Sequence, residues 1–303
     1  MRTIIWLIVI NLSIFVWLAL IIFILESFWV HVWLNWSWLL IYSLIFWFWA
    51  SILSLLISKF TIEQIEWVRN VSDLTEDEIE LIFWDLSYKI FYLKKRLNEL
   101  NQKYKKDVKL WVYESNEPNA FAYWCGLCWW NSIAFSTWIL ILMDLDELDW
   151  VLWHEYSHIY NWDVVIITIL QWFLNTFVIY LSRLLASILT DTEENWYWFW
   201  YIVLSFVLEI LFWVVVTIIL SYISRIREYK ADLWSAKYFS NRENMILALE
   251  KLLLYSKSPE KIIDKNNEFV ATMKINNFWE KLLNLFSTHP SLEDRINKLK
   301  NMN

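Results

Sequence analysis

Residues 154–158 read His154-Glu155-Tyr156-Ser157-His158, an H-E-x-x-H pattern within a stretch predicted to be helical. Residues four apart lie on the same helix face, so the imidazoles of His154 and His158 can bind one Zn²⁺. Glu155 then lies beside the metal, where its carboxylate can take a proton from a bound water molecule. The pattern predicts a catalytic zinc site; the alternative interpretation is a surface helix with two unrelated histidines.

A catalytic zinc site needs a third protein ligand and one open position. The best candidate is Glu228, which lies in an Arg- and Glu-rich stretch that also contains Asp232, one helical turn further on. One of these carboxylates would bind the metal, and the other would accept a hydrogen bond from the second nitrogen of a histidine ligand. The alternative interpretation is an ordinary solvated helix that follows a membrane span.

Four apolar segments are long enough to cross the hydrocarbon core of a membrane, which takes about 20 helical residues. They are Ile4–Leu25, Ser37–Ser58, Val164–Thr190 and Trp198–Tyr222. We interpret the first as a retained anchor, because its apolar run exceeds the roughly 7–15 residues of a signal peptide and no small-residue cleavage site follows.

The distribution of basic residues predicts the orientation in the membrane. Lys59–Asp163 carries ten Lys and Arg residues, whereas Asp191–Tyr197 carries none. By the positive-inside rule, both termini and the large middle segment are cytoplasmic. Within that segment, Val108–Tyr113, Phe121–Tyr123 and Ser132–Ser136 are predicted to form a small β-sheet.

The composition excludes two classes of protein. The net charge of −7 gives no basic surface for nucleic acid, so we expect no nucleic-acid partner. Two cysteines in 303 residues cannot form a disulfide framework. Cys125 and Cys128 form a C-x-x-C on a predicted hairpin turn, and a metal or redox site there would need further ligands.

The chain has 1 Gly and 25 Trp, whereas about 7% Gly, roughly 21 residues, is ordinary for this length. We hypothesise that many of these tryptophans are glycines encoded by UGA, a codon that some bacterial lineages read as Gly. An aromatic-rich membrane protein is the alternative, but interfacial aromatic belts do not explain the missing Gly. The positions assigned to Gly are Trp124, Trp129, Trp130, Trp138, Trp153, Trp162 and Trp234.

Several motifs spread over nearly the whole chain resemble those of the HtpX family, the bacterial membrane-bound heat-shock zinc metalloproteases of the gluzincin type of zincin. Besides H-E-x-x-H they are Asn119-Ala120-Phe121-Ala122, Asn161-Trp162-Asp163, Arg225-Ile226-Arg227-Glu228-Tyr229 and Ser287-Thr288-His289-Pro290. The chain departs from the family pattern at Trp138, Trp153 and Trp162, where Gly or another small residue is expected. These departures favour the glycine hypothesis.

The resemblance implies roles for individual residues. His154, His158 and Glu228 would bind one Zn²⁺ per chain, Glu155 would be the general base, and Asp232 would orient a ligand. Two further roles come from the resemblance alone. Asn119 would bind the substrate backbone on an edge strand, and His289 would position the substrate or stabilise the oxyanion in the catalytic cleft.

The expected fold is an α-rich integral membrane protein, in which a zincin-like catalytic domain with a small β-sheet is joined to about four transmembrane helices. The predicted divisions are an N-terminal transmembrane hairpin (1–58), a cytoplasmic zincin-like part (59–163), a second transmembrane hairpin (164–222) and a cytoplasmic helical part that completes the zinc site (223–303). The resemblance implies a multi-pass protein of the bacterial inner membrane.

The expected activity is that of a membrane-bound zinc metalloendopeptidase, and by resemblance its substrates are misfolded or damaged membrane proteins within the lipid bilayer. Two alternatives remain open. An intramembrane protease would carry H-E-x-x-H inside a span, whereas Glu147, Asp149 and Asp163 flank the motif here. A non-proteolytic zinc carrier or scaffold would need neither Glu155 nor an open metal position.

Overall fold

The computed structural model describes residues 40, 43–50, 68–125, 130–190, 197–238, 242–257 and 285–301. The predicted span Ile4–Leu25 lies outside the described residues, as do most of Ser37–Ser58, Cys128 and Trp129. Residues 43–50 are helical, and their backbone accepts a hydrogen bond at Leu44 from the indole of Trp172 at 2.8 Å.

A four-stranded mixed sheet forms one wall of the domain, which confirms the prediction of a small sheet. Its strands are β1 (Val68–Asn70), β2 (Val108–Tyr113), β3 (Ala120–Cys125) and β4 (Trp130–Ser136), in the order β1-β2-β4-β3. Strands β2 and β4 are parallel, and the other two pairs are antiparallel. Strand β3 therefore lies at one edge of the sheet.

Three helices accompany the sheet, and side-chain caps define where two of them begin. Helix α1 (Glu76–Phe83) begins at Thr75, which forms a capping box with Glu78. After a 3₁₀ turn, α2 (Ser87–Tyr104) follows, and α3 (Thr137–Leu142) begins at the hydroxyl of Ser136. Such caps satisfy the first amide donors of a helix, which have no intrahelical acceptor.

Helix α4 (Leu145–Tyr160) carries the H-E-x-x-H pattern and runs through the core. It begins with a second capping box, formed by Asp144 and Glu147. Leu148, Leu152 and Tyr156 are fully buried against apolar side chains of α2, β2 and β4. The motif thus lies on a core helix, so the interpretation as a surface helix is wrong.

Two long helices follow α4 and pack against each other. Helix α5 (Asp163–Leu189) and helix α6 (Tyr197–Tyr238) are both long and apolar enough to cross a membrane, and large apolar side chains are exposed along them. They coincide with the third and fourth predicted spans. Helix α6 continues without a break for 42 residues, so the predicted boundary at residue 222 falls inside one helix.

Two shorter helices complete the described part of the chain. Helix α7 (Arg242–Ser256) packs on α4, where Lys251 reaches the buried carboxylate of Glu147 at 2.6 Å. Helix α8 (Leu292–Lys300) begins at Ser291, whose hydroxyl accepts a hydrogen bond from the amide of Asp294. Apolar residues of α7 and α8 pack together around Trp150 of α4.

The structure gives two observations that support the glycine hypothesis. Trp162 lies between α4 and α5 with φ 59° and ψ 33°, a left-handed conformation that Gly adopts freely and a residue with a bulky side chain does not. Trp153 of α4 and Trp234 of α6 face each other with ring centroids 5.3 Å apart, at a contact between two helices. Two glycines there would let the helices approach more closely.

The other assigned positions that the structure describes lie in regular structure. Trp124 and Trp130 lie within strands β3 and β4. Trp138 lies in α3, and its indole N–H is buried without a hydrogen-bond partner. An unsatisfied buried donor costs about 1–3 kcal/mol, a further reason why Trp fits this position poorly.

The glycine hypothesis predicts that Trp162→Gly raises the free energy of unfolding by about 1–2 kcal/mol, because it removes the left-handed penalty of a residue with a Cβ. Denaturant unfolding in detergent measures this difference. Trp84→Gly is the matched control, because Trp84 has a φ of −26° and gains nothing from Gly. Mass spectrometry of the native protein tests the hypothesis directly, and peptides with intact Trp at the seven assigned positions would refute it.

Candidate metal centre

The side chains of His154, His158 and Glu228 converge at the junction of α4 and α6. One donor atom from each lies within 4.8 Å of the other two. The Nε2 atoms of the two histidines are 3.3 Å apart, and each lies 3.5 Å from one carboxylate oxygen of Glu228. Two imidazoles and one carboxylate form a donor set that catalytic zinc sites use, and the three residues fit a zinc ion.

Each histidine is oriented by an aspartate on its other ring nitrogen. The Nδ1 atom of His154 lies 3.0 Å from Asp232, and that of His158 lies 2.7 Å from Asp163. A hydrogen bond at Nδ1 fixes the tautomer and leaves Nε2 free to bind metal. Asp232 thus contacts a proposed ligand, as the sequence predicts. The contact of Asp163 with His158 was not predicted.

Two arginines balance the charge of these aspartates. Arg295 of α8 donates two hydrogen bonds to Asp232, at 2.6 and 2.8 Å, and Arg227 of α6 forms an ion pair with Asp163. Sequence reasoning missed Arg295, because nothing in the sequence links α8 to residues 63 positions earlier. For the pair of Asp163 and Arg227, the sequence offered one signal each. Asp163 lies five residues after His158, and Arg227 lies directly before Glu228.

Glu155 lies beside the two histidines and faces the edge strand. Burial raises the pKa of the Glu155 carboxyl above its usual range, although the neighbouring imidazoles and the backbone N–H of Ala122 in β3 lower it. A carboxylate with a raised pKa is a better proton acceptor near neutral pH, which suits a general base.

The two histidines differ in protonation. Burial lowers the pKa of His158, which favours the neutral imidazole that binds metal. Burial and the charge of Arg295 also lower the pKa of His154, but hydrogen bonds with Asp232 and Glu228 outweigh them and raise it to about 9. Metal binding at His154 therefore has to displace a proton.

A cavity of about 680 Å³ opens next to these side chains. The edge strand β3 and the residues that precede it line the cavity, together with residues from α5, α6 and α7. Glu155 and His289 both line the cavity. The cavity thus joins the edge strand β3 to Glu155.

The two residues assigned by resemblance alone both lie at this cavity. His289 precedes α8, and its Nδ1 lies 3.3 Å from Glu228. Asn119 is exposed directly before β3, where its backbone N–H donates to Ser136 and its carbonyl accepts from the amide of the same residue. Both positions are compatible with contact to a bound peptide.

The comparison with known families gives a match to peptidase family M48 over residues 92–303. The chain is 37% identical to Protease HtpX of Buchnera aphidicola over 279 residues, which cover 88% of both chains. It is 35% identical to the Protease HtpX homolog of Neisseria meningitidis over 268 residues, which cover 87% of this chain and 88% of that protein.

A solved structure shares the fold. The crystal structure of S. mikatae Ste24p matches with a TM-score of 0.60 and 18% sequence identity. The match covers 93% of this chain but only 62% of Ste24p, so this chain spans less than two thirds of that longer protein.

The contact between Asp163 and His158 predicts a change in metal affinity. Asp163→Asn should weaken zinc binding about 10–100-fold, because the amide orients the imidazole less firmly and does not raise its basicity. Competition with a chromophoric chelator measures the affinity, and circular dichroism checks the fold. Asp146→Asn, an exposed position on α4, is the control and should leave the affinity unchanged. An unaltered affinity in Asp163→Asn would show that this contact does not support the metal site.

Proposed function

This chain belongs to peptidase family M48 and is a membrane-bound metallopeptidase, and on this premise we propose that it is a zinc endopeptidase with one zinc ion per chain. The observation that carries the proposal is the convergence of His154, His158 and Glu228 beside Glu155, at a cavity that borders an edge strand.

The proposed mechanism uses Glu155 to move one proton. His154, His158 and Glu228 would hold the zinc, which when bound supplies a Lewis acid and lowers the pKa of a water molecule at its open position. The Glu155 carboxylate accepts a proton as the nucleophilic oxygen attacks the scissile carbonyl. It then gives that proton to the leaving amine nitrogen, so that the peptide bond breaks.

We propose that the substrate binds as an added strand along β3. A peptide paired with an edge strand gains main-chain hydrogen bonds that do not depend on its sequence. Asn119, at the start of that edge, would bind the substrate backbone, and His289 would donate a hydrogen bond to the oxyanion that forms at the attacked carbonyl. The positions of both residues at the cavity support these roles.

The proposed substrates are misfolded or damaged membrane proteins at the cytoplasmic face of a bacterial inner membrane, so that the protein serves in quality control. The cavity supports this, because Val164 and Ile167 from the first turns of α5 line it. Helix α5 is one of the two helices long and apolar enough to cross a membrane among the described residues. A substrate that emerges from the bilayer would therefore reach the cavity directly.

The alternative of a zinc carrier or scaffold is less well supported. A carrier needs neither a carboxylate beside the metal nor a cavity that leads to it, and the site has both. The alternative of a catalytic site inside the membrane is also less well supported. The H-E-x-x-H pattern lies on α4, which packs among α2, α7 and the sheet rather than along the apolar helices alone.

Endopeptidase and carrier differ in the effect of Glu155→Gln. Because Glu155 is not a metal ligand in this proposal, the variant should keep its zinc and lose about 10²–10⁴-fold in turnover as proton transfer fails. Casein cleavage in detergent and zinc content of the same preparation are the two measurements. The control Glu80→Gln, exposed on α1, should retain both. Near-normal cleavage by Glu155→Gln would remove Glu155 from the mechanism.

The proposed orientation is tested by cysteine tags. A tag near Asn98 should react with a membrane-impermeant maleimide only after the cytoplasmic side is opened, and a tag near Glu194 should react in intact spheroplasts. The reason is the concentration of Lys and Arg in Lys59–Asp163 and their absence from Asp191–Tyr197. The reverse pattern of labelling would place the active site on the outer side.

A further inference from the structure

The segment at 285–290 is helical at 285–286, bends at 288–289 and brings His289 to the metal centre before α8 begins. The side chain of His289 is 68% exposed, so burial does not fix its position. At the site, its Nδ1 lies 3.3 Å from a carboxylate oxygen of Glu228. The backbone of the segment must therefore determine where this imidazole lies.

Helix α6 binds that backbone at three consecutive carbonyl groups. Nη1 of Arg225 donates to the carbonyls of Leu285 at 3.2 Å and Ser287 at 2.8 Å. The hydroxyl of Ser221, one turn earlier, donates to the carbonyl of Phe286 at 3.1 Å. Ser221 is 2% exposed, so this second contact is shielded from water.

The other side of His289 is also held. Pro290 is buried, and Arg295 in the first turns of α8 binds Asp232 through two hydrogen bonds. The hydroxyl of Ser287 donates to the carbonyl of His289 itself at 2.6 Å. His289 thus lies in the chain between two contacts with α6. Before it, Arg225 of α6 binds the segment, and after it, Arg295 of α8 binds Asp232 of α6.

We propose that Arg225 is a positioning residue that holds His289 over the metal centre, so that the imidazole meets the reacting carbonyl. The inference rests on the role of His289 in the proposed function. Arg225 and Glu228 lie on the same helix, three residues apart, so the residue that binds the segment and the proposed metal ligand move as one rigid unit. The distance from His289 to the metal site is then set by α6 and does not depend on how the preceding chain lies.

A double-mutant cycle tests the proposal with the full-length protein in detergent, with casein-derived peptide as substrate and zinc as the metal. The variants are Arg225→Gln, His289→Ala, their combination, and Arg225→Lys, whose ammonium can still donate to both carbonyls. Lys230→Gln, exposed on α6, controls for loss of one positive charge near the membrane. Zinc content and kcat and KM are measured for each.

The expected result is a loss in kcat of about 10²-fold for His289→Ala, the usual scale for one oxyanion donor, and of about 10-fold for Arg225→Gln. Zinc content and KM should change little. In the His289→Ala background, Arg225→Gln should have no further effect on kcat, because no imidazole is left to position. Arg225→Lys should recover most of the activity, and Lys230→Gln should behave as the unaltered protein.

Two results would overturn the proposal, and they differ in what else they remove. A loss in kcat for His289→Ala, combined with an additive effect of Arg225→Gln or none at all, would refute the positioning role and leave the role of His289 intact. Unaltered kcat in His289→Ala would refute the role of His289 in the proposed function, and the role of Arg225 would fall with it.

Discussion

The metal centre depends on the packing of α4 against α6. The imidazoles come from α4, and the third donor, Glu228, comes from α6. Between His158 and Glu228 the chain runs through α5 and back through α6, the two long apolar helices. The proposed membrane hairpin is thus inserted between the ligands of one site. Asp163 and Arg227 form an ion pair where this hairpin leaves and rejoins the catalytic part. Any change in the packing of α5 against α6 therefore bears on the distance between Glu228 and the histidines.

Two chains of contacts, each running from histidine to aspartate to arginine, also stabilise the site. Asp232 lies between His154 and Arg295, and Asp163 lies between His158 and Arg227. Removal of one partner from a buried ion pair costs about 3–5 kcal/mol, since the remaining charge stays without compensation. The charge of Arg295 helps to hold the pKa of the Asp232 carboxyl below its usual range, and the two aspartates orient the imidazoles. Because these contacts join α4, α5, α6 and α8, the four helices share one network at the metal.

The sequence predicts the local features of this protein well. Strand alternation and the i, i+4 spacing of His154 and His158 both depend on neighbours in the chain, and a short-range physical rule relates each to its structure. Glu228 could be proposed because one turn of helix links it to Asp232. Arg295 could not, because its contact with Asp232 depends on how α8 packs. The uninterrupted course of α6 was also missed, since a change from apolar to charged residues does not end a helix.

Helix α6 also fixes the distance between the metal centre and the end of the predicted apolar span. At about 1.5 Å per residue, Glu228 lies only about 9 Å along the axis from Tyr222, the last residue of the predicted apolar span. Asp163, which contacts His158, directly precedes the other apolar helix. In the proposed membrane arrangement, these two helices keep the catalytic centre close to the bilayer surface. About three extended residues, at roughly 3.3 Å each, cover that distance. For the proposed membrane-protein substrates, a short unfolded stretch next to an anchoring span would be enough to reach the site, with no extraction from the lipid.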